Sequence, residues 1–465
     1  MARILLVSLN TETQPYPVYP LGMAVVAASL HEAGYEVRQY DLLACNNGRE
    51  TPLDEAVENA LSIAREFEPE IIGVSVRNID NVDIFSGLDH WYLDNLKTLT
   101  KAIKEKIGVP IILGGPGFSI MPETIIDYVG ADAGVVGRGE EIMPKLAHAL
   151  LNGGTKDKLW SSDKSVFNDM TFVPRVDKAM MGYYAEQSGM ANVQSKWGCP
   201  YHCVYCTYPH IEGPRFRYRD VECVIREIRG LNENFGVKHI VFTDSVFNDG
   251  KEKYLDLVHA MVEARENGLD FKWSAFFRPM DIDAERVELL KRSGLCAVEL
   301  GTDAGCDTTL KAMGKGFTMA DVKRVSDHFM RGGIPTAHFI ILGGPEETMD
   351  TLAETVENIK SIEATVFFPF VGIRILPGTP LHQLAVEQGV VQAEDKLLKP
   401  VYYTAPGLSF EAMDEFLTVE FKPIMNCFYP PSEGELRMSV MHRFGHRGLL
   451  WDKMQTRKGG RNGKA

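Results

Sequence analysis

Twice along this chain short apolar strands alternate with amphipathic helices, and that repeated rhythm restricts the fold more than any other feature. In the first part, strands are predicted at Arg3–Ser8, Glu36–Tyr40, Ile71–Val76, Pro110–Leu113 and Ala133–Val136. Helices are predicted at Gly22–Ala33, Leu53–Glu66, Leu93–Lys106, Pro122–Val129 and Glu141–Leu151. Five strands interleaved in this way make an open, parallel, doubly wound sheet of the Rossmann or flavodoxin kind. Gly153 to Glu186 shows no sustained period and reads as a linker. Beyond it the rhythm resumes with longer units, with strands predicted at Asn192–Lys196, His239–Thr243, Lys272–Phe276, Ala297–Gly301, Thr336–Leu342 and Val366–Leu376. Six βα repeats are too many for another small open sheet. They suit a partial (β/α)6 barrel of the TIM type, whose functional residues sit at the carboxyl ends of the strands. The predicted division is a first α/β domain over 1–152, a linker over 153–186, a barrel over 187–400 and a small C-terminal region over 401–465.

With 465 residues, 45% of them apolar and 24% charged, the chain can bury more than one core. Its net charge of −14 argues against a protein that coats nucleic acid. The basic charge is concentrated at the end: from Leu436 to Ala465 eight Lys or Arg face the single acid Asp452, and Arg457–Ala465 reads as a frayed, solvated tail. No apolar run approaches the roughly 18 residues of a membrane span. The start, Met1 to Asn10, is a strand pattern without a signal peptide's apolar stretch. A cytoplasmic location is expected, where thiols stay reduced, so the eight cysteines should be metal ligands or small buried hydrophobes.

Three of those cysteines stand together in Cys199-Pro200-Tyr201-His202-Cys203-Val204-Tyr205-Cys206, directly after the first predicted barrel strand. The spacing C-x3-C-x2-C lets three sulfurs turn toward one centre from a loop. Three thiolates suit a cubic iron–sulfur cluster with one iron left without a protein ligand. Zinc would want a fourth ligand, which His202 or His210 could supply.

The cysteine loop, with Tyr205 before its third cysteine, resembles that of the radical S-adenosylmethionine (radical SAM) superfamily. The resemblance implies that Cys199, Cys203 and Cys206 hold a [4Fe-4S] cluster whose open iron binds the amino and carboxylate groups of S-adenosylmethionine (SAM). It also implies cleavage of SAM to a 5′-deoxyadenosyl radical. Later segments fall in the order the family uses: Phe242-Thr243-Asp244-Ser245, Phe277-Arg278-Pro279, Val298-Glu299-Leu300-Gly301, Leu342-Gly343-Gly344-Pro345 and Arg374 through Leu381. By that resemblance Tyr205, Asp244, Arg278, Glu299, Gly343 and Gly344 are expected around SAM.

The first domain has glycine-rich loops after its fourth and fifth strands, Gly114-Gly115-Pro116-Gly117 and Gly137-Arg138-Gly139-Glu140-Glu141. Ligands of such sheets lie at the carboxyl ends of the strands. Flavin, nucleotide and cobalamin all remain open on that ground, and the Gly-x-Gly-x-x-Gly dinucleotide fingerprint is absent. The pattern looks like the cobalamin (B12) binding domains that precede radical SAM barrels. That resemblance implies a corrin near Ser75, Arg77, Asn78, Gly114, Gly115, Gly137, Gly139 and Glu140. The Asp-x-His-x-x-Gly motif that supplies a histidine to cobalt in other B12 proteins is missing, so the lower axial position would lack it.

Taken together, the resemblance implies a cobalamin-dependent radical SAM enzyme, foremost a C-methyltransferase that acts on an unactivated carbon via methylcobalamin. A non-methylating cyclisation or rearrangement and a non-catalytic B12 or iron–sulfur sensor are the alternatives. The partners implied are a small-molecule or lipid-like substrate and a reducing electron donor such as flavodoxin or ferredoxin, with no nucleic acid and no membrane span.

Overall fold

The structure, a computed structural model, describes residues 1–49, 51–88, 91–162, 170–363 and 365–455. The basic stretch Arg457–Ala465 therefore lies outside the described residues.

The first sheet is built from β1 (Arg3–Ser8), β2 (Glu36–Asp41), β3 (Ile71–Ser75), β4 (Ile111–Gly114), β5 (Ala133–Val136) and β6 (Leu159–Ser161). All its pairings are parallel, in the order β2-β1-β3-β4-β5-β6. Ile4, Leu5, Leu6 and Val7 are all buried, as expected of a parallel strand covered by helices on both faces. The chain order reverses between β1 and β3, and a crevice opens there at the carboxyl ends of the strands.

The expected linker is corrected in two places. Leu159–Ser161 pairs in parallel with β5 and adds a sixth strand, and Lys178–Ser188 is a helix started by Asp177, whose carboxylate accepts from Met180 N at 2.9 Å. Three residues are too few to display a strand period. The helix buries Met180, Met181, Tyr183 and Tyr184 between the two domains, so it has no single apolar stripe to read.

The second sheet contains β7 (Met190–Val193), β8 (His239–Phe242), β9 (Lys272–Phe277), β10 (Leu295–Asp303), β11 (Thr336–Leu342) and β12 (Thr365–Val371), paired in sequence order and parallel throughout. Because β12 does not pair with β7, the barrel is open along one seam. Helices such as Val221–Phe235 and Met319–Arg331 pack outside, each started by a side-chain cap, Asp220 and Thr318 respectively.

The C-terminal region closes the seam. Main-chain bonds join Phe367 to Asn426 and Phe428 at 2.8 and 2.9 Å, satisfying the free edge of β12. Gly448 N bonds Ser188 O beside the start of β7, and Leu449, Leu450 and Trp451 pack with Met190, Ala297 and Val366. The two carboxyl faces, of the first sheet and of the barrel, point at one another.

Candidate functional site

Two cavities lie at that junction. The first, of about 510 Å³, runs inside the barrel mouth. The second, of about 570 Å³, lies between the first sheet and the barrel. Val18, Tyr19, Arg77, Asn192, Tyr208 and Thr243 line both, so the two spaces share one wall.

The cysteine loop begins at Gly198, whose φ of +81° favours glycine and where a Cβ would lie 2.1 Å from Arg215 O. Cys199, Cys203 and Cys206 all open onto the first cavity. Backbone N–H groups of Tyr201 and Tyr208 are directed at the sulfurs of Cys199 and Cys206, and the Ser245 hydroxyl beside Cys199 donates to Gly198 O at 2.8 Å. Such donors suit metal-bound thiolates. Burial first, and then the neighbouring thiols, push Cys206 up to about 12, and binding of metal at this sulfur would displace the proton. Among the described residues no three His, Cys, Asp or Glu side chains close around a single ion.

Around the cysteines lies a charged group that sequence reasoning did not single out. The Lys315 ammonium, buried, donates to Asp303 Oδ2 and stands 3.4 Å from Cys203 Sγ, and Tyr205 OH donates to the same Asp303 oxygen at 2.5 Å. Burial alone would lower Lys315; the Asp303 and Cys203 charges overcome it and hold it above its ordinary value. Gly314, at φ +72°, lets this turn lie against the cysteine loop, since a Cβ there would meet His202 O at 2.6 Å. Only the Gly-Lys-Gly punctuation, Gly314-Lys315-Gly316, could have signalled it.

The residues expected around SAM divide. Tyr205, Asp244, Arg278 and Glu299 all line the barrel cavity. The Arg278 guanidinium lies 3.8 Å from the Tyr201 ring centroid and donates to Lys315 O. Asp244 is occupied: it accepts from Ser195 N at 2.7 Å, Ser195 Oγ at 2.5 Å and Lys196 N at 3.2 Å. Burial raises it, opposed first by Lys196. Glu299 lies mid-strand rather than at the strand end, with Trp451 Nε1 donating to its Oε1 at 3.1 Å. Gly343 and Gly344 are not brought to the cavity walls. They face the side chains of Met413 and Met313, in whose way a Cβ would lie at 3.1 and 2.9 Å.

All eight residues expected near a corrin, Ser75, Arg77, Asn78, Gly114, Gly115, Gly137, Gly139 and Glu140, line the second cavity. Gly115 and Gly137 have φ of +101° and +82°, and a Cβ there would lie 2.6 Å from Val76 O and 2.7 Å from Ser162 Oγ. The loops thus pack too closely for any side chain, which leaves the crevice open. Glu140 is half-buried, its Oε1 shut off from solvent and unpartnered, and desolvation pushes the carboxyl up to about 7. Across the crevice Glu212, from the barrel, is also pushed up to about 7, by burial first. An orphaned carboxyl oxygen in a glycine-lined crevice fits a ligand edged with amide N–H groups, which a corrin has.

Fold and site define a class: a three-cysteine loop at the mouth of an open parallel barrel, faced by the glycine-lined crevice of a doubly wound sheet. Comparison with known proteins gives it a family. The Radical SAM superfamily model matches residues 197–359 and the B12 binding domain model residues 7–147. The chain belongs to the radical SAM enzymes that carry a B12-binding domain ahead of the barrel, and the cofactors of that family are a [4Fe-4S] cluster, SAM and cobalamin.

Among curated relatives, tryptophan 2-C-methyltransferase of Streptomyces laurentii is 25% identical over 445 residues, covering 80% of this chain and 73% of that one. An uncharacterized methyltransferase of Pyrococcus horikoshii is 25% identical over 431 residues, covering 87% and 88%. The fold matches the solved structure of TsrM, a radical SAM methyltransferase from Kitasatospora setae with cobalamin and a [4Fe-4S] cluster bound, at a TM-score of 0.83, 23% identity, and 98% and 97% coverage. Among the described residues no helix is long and apolar enough to cross a membrane.

Proposed function

We propose that this chain is a cobalamin-dependent C-methyltransferase acting on an unactivated carbon of a small substrate held in the barrel. The observation that carries the reading is the shared wall. A carbon placed beside Tyr19, Asn192 and Thr243 sits between the cysteine loop and the glycine crevice, where the two cavities meet. The relatives support it, since both curated proteins named above are called methyltransferases.

When bound, the cluster with SAM supplies a radical able to remove hydrogen from such a carbon, and the corrin supplies the methyl group. The chain's residues do the rest. Cys199, Cys203 and Cys206 hold the cluster. Tyr205, Asp303, Lys315 and Arg278 form a fixed charged collar where SAM would lie. The eight crevice residues seat the corrin, with Arg77 on the wall common to both cavities. Tyr16 and Tyr19 stand at the junction, and burial, the largest cause for each, holds both phenols above their ordinary values, so they stay neutral. Gly344 acts at one remove, through the packing of Met313 behind the cysteine loop, and Gly343 lies against Met413.

The reading calls for a reducing electron donor such as flavodoxin or ferredoxin and for a reducing compartment such as the cytoplasm. The eight free thiols are in keeping with it.

The test uses anaerobically reconstituted protein, reductant, cobalamin and SAM with a deuterated methyl group. Label recovered on the corrinoid, and lost in the Cys203→Ala variant, supports methyl transfer. Deoxyadenosine without label on the corrinoid would place the chain with the non-methylating members of its class.

A further inference from the structure

We propose that the helix Pro431–Arg443 docks this enzyme on an anionic lipid surface through an exposed apolar stripe of Leu436, Val440 and Phe444. The inference goes beyond the methyl-transfer reading and stands without it.

The helix has two apolar faces. One belongs to the fold. Gly434 and Met438 are buried against β12, where a Cβ on Gly434 would lie 2.6 Å from the Phe368 ring. Met438 packs with Phe368, Phe428 and Trp451. The other face is turned outward. Leu436, Val440 and Phe444 recur every four residues and so line one side of the helix. Phe444 follows the last helical residue, and its N–H bonds Val440 O at 3.2 Å, which keeps it on the helical path. The three are 61%, 41% and 82% exposed. Single exposed apolar residues are ordinary; three in register make a patch that calls for a partner.

The charge around the stripe selects that partner. Arg437 and Arg443, both exposed, stand about 60° to either side of Val440 on the helix. Among the described residues neither guanidinium sits in an ion pair, and Arg437 lies over the Phe428 ring at 4.9 Å from its centroid. The acids of the helix, Glu433 and Glu435, lie in its first half, and from Leu436 to Ala465 eight Lys or Arg face the single acid Asp452. An apolar stripe flanked by arginines suits a helix lying in the plane of an anionic membrane, with the stripe among acyl chains and the guanidiniums among phosphates. The chain's net −14 does not oppose this, because charge more than roughly 8 Å from the surface is screened at physiological salt. A second copy on this face would bring arginines against arginines, and the basic end of the chain is repelled for the same reason. A nucleic acid would take up the cations and leave the apolar stripe in water. No residue of the helix lines either cavity, so docking leaves the barrel mouth free.

The test is flotation of the reconstituted holoenzyme with vesicles of phosphatidylglycerol and phosphatidylcholine in equal parts, and with phosphatidylcholine alone. The protein should float with the first and not with the second, and added salt should weaken the binding. Leu436→Ser combined with Phe444→Ser should weaken it by at least about tenfold. Arg437→Gln combined with Arg443→Gln should weaken it by about 20- to 30-fold, at about fivefold per charge. Iron content, corrinoid content and deoxyadenosine formation equal to wild type check that the variants fold. Failure to float with phosphatidylglycerol, equal flotation with phosphatidylcholine alone, or undiminished flotation of the serine variant would each overturn the inference. So would tighter binding to duplex DNA that the serine changes leave intact, or a dimer of the free protein that they dissolve.

Discussion

The buried pair Asp80–Arg374 ties the corrin loop to the barrel, and breaking it should cost both stability and cobalamin. Asp80 follows Arg77 and Asn78 by two or three residues, and Arg374 Nε donates to its Oδ2 at 3.0 Å with both side chains 2% exposed. Arg374 also donates to Ile375 O and Leu397 O at 2.8 Å each. Asp80→Asn leaves a buried guanidinium without its counter-charge. Arg374→Met leaves a buried carboxylate whose other partner is Val82 N at 3.0 Å. Each single change should cost about 3–5 kcal/mol, because the survivor is an uncompensated buried charge. The double variant should be more stable than the sum of the singles predicts, by about 1–3 kcal/mol. The assay is urea unfolding of the corrinoid-free protein for the four members of the cycle, followed by cobalamin titration. Both singles should also bind cobalamin at least about tenfold more weakly, since the loop bearing Arg77 loses its tether. Costs below about 1 kcal/mol, or strictly additive changes, would refute the argument.

Three further outcomes follow from the same geometry. Burial raises the Glu140 carboxyl from its ordinary 4.5 to about 7, so the folded state binds the extra proton and wild-type stability falls as pH rises through that window. Glu140→Gln removes the effect: its stability relative to wild type should grow by roughly 3 kcal/mol from pH 4.5 to pH 7 and level off above, and a flat difference in urea midpoints would contradict this. Gly198→Ala places a Cβ against Arg215 O and should abolish iron and sulfide incorporation, whereas Gly268→Ala, at φ +94° but in open space, should pay only about 1–2 kcal/mol and keep its cluster. Lys315→Met removes a cation 3.4 Å from Cys203 Sγ and should lower the cluster's reduction potential by on the order of 100 mV in an EPR-monitored titration. An unchanged or higher potential would count against the collar.

Most of the frame was legible because its signals are local. Continuous apolar runs marked β1, β3 and β11, and the cysteine spacing and glycine loops marked both cavities before any contact was known. The crevice residues were legible too, since each stands at or shortly after a strand end. The misses are of two physical kinds. Leu159–Ser161 and the helix Lys178–Ser188 were hidden because one is too short and the other buried all round. Tyr16, Lys315 and Trp451 reach the site from segments far apart in the chain, and no local period carries that information. Glu299 was found on the cavity wall, though its mid-strand height was not legible, because a motif gives order along the chain, not height within a barrel. Gly343 and Gly344 were expected against adenine, yet methionine side chains fill the space in front of them.

The central claim is that one chain holds both cofactors across a shared wall. It is tested most directly by measuring corrinoid retention and 5′-deoxyadenosine formation together, in one anaerobic reconstitution with SAM and reductant. The account predicts that cobalamin stays bound through desalting and that deoxyadenosine forms and vanishes in Cys203→Ala. Deoxyadenosine formed by a protein that retains no cobalamin would contradict it, and the glycine crevice would then have to hold another ligand.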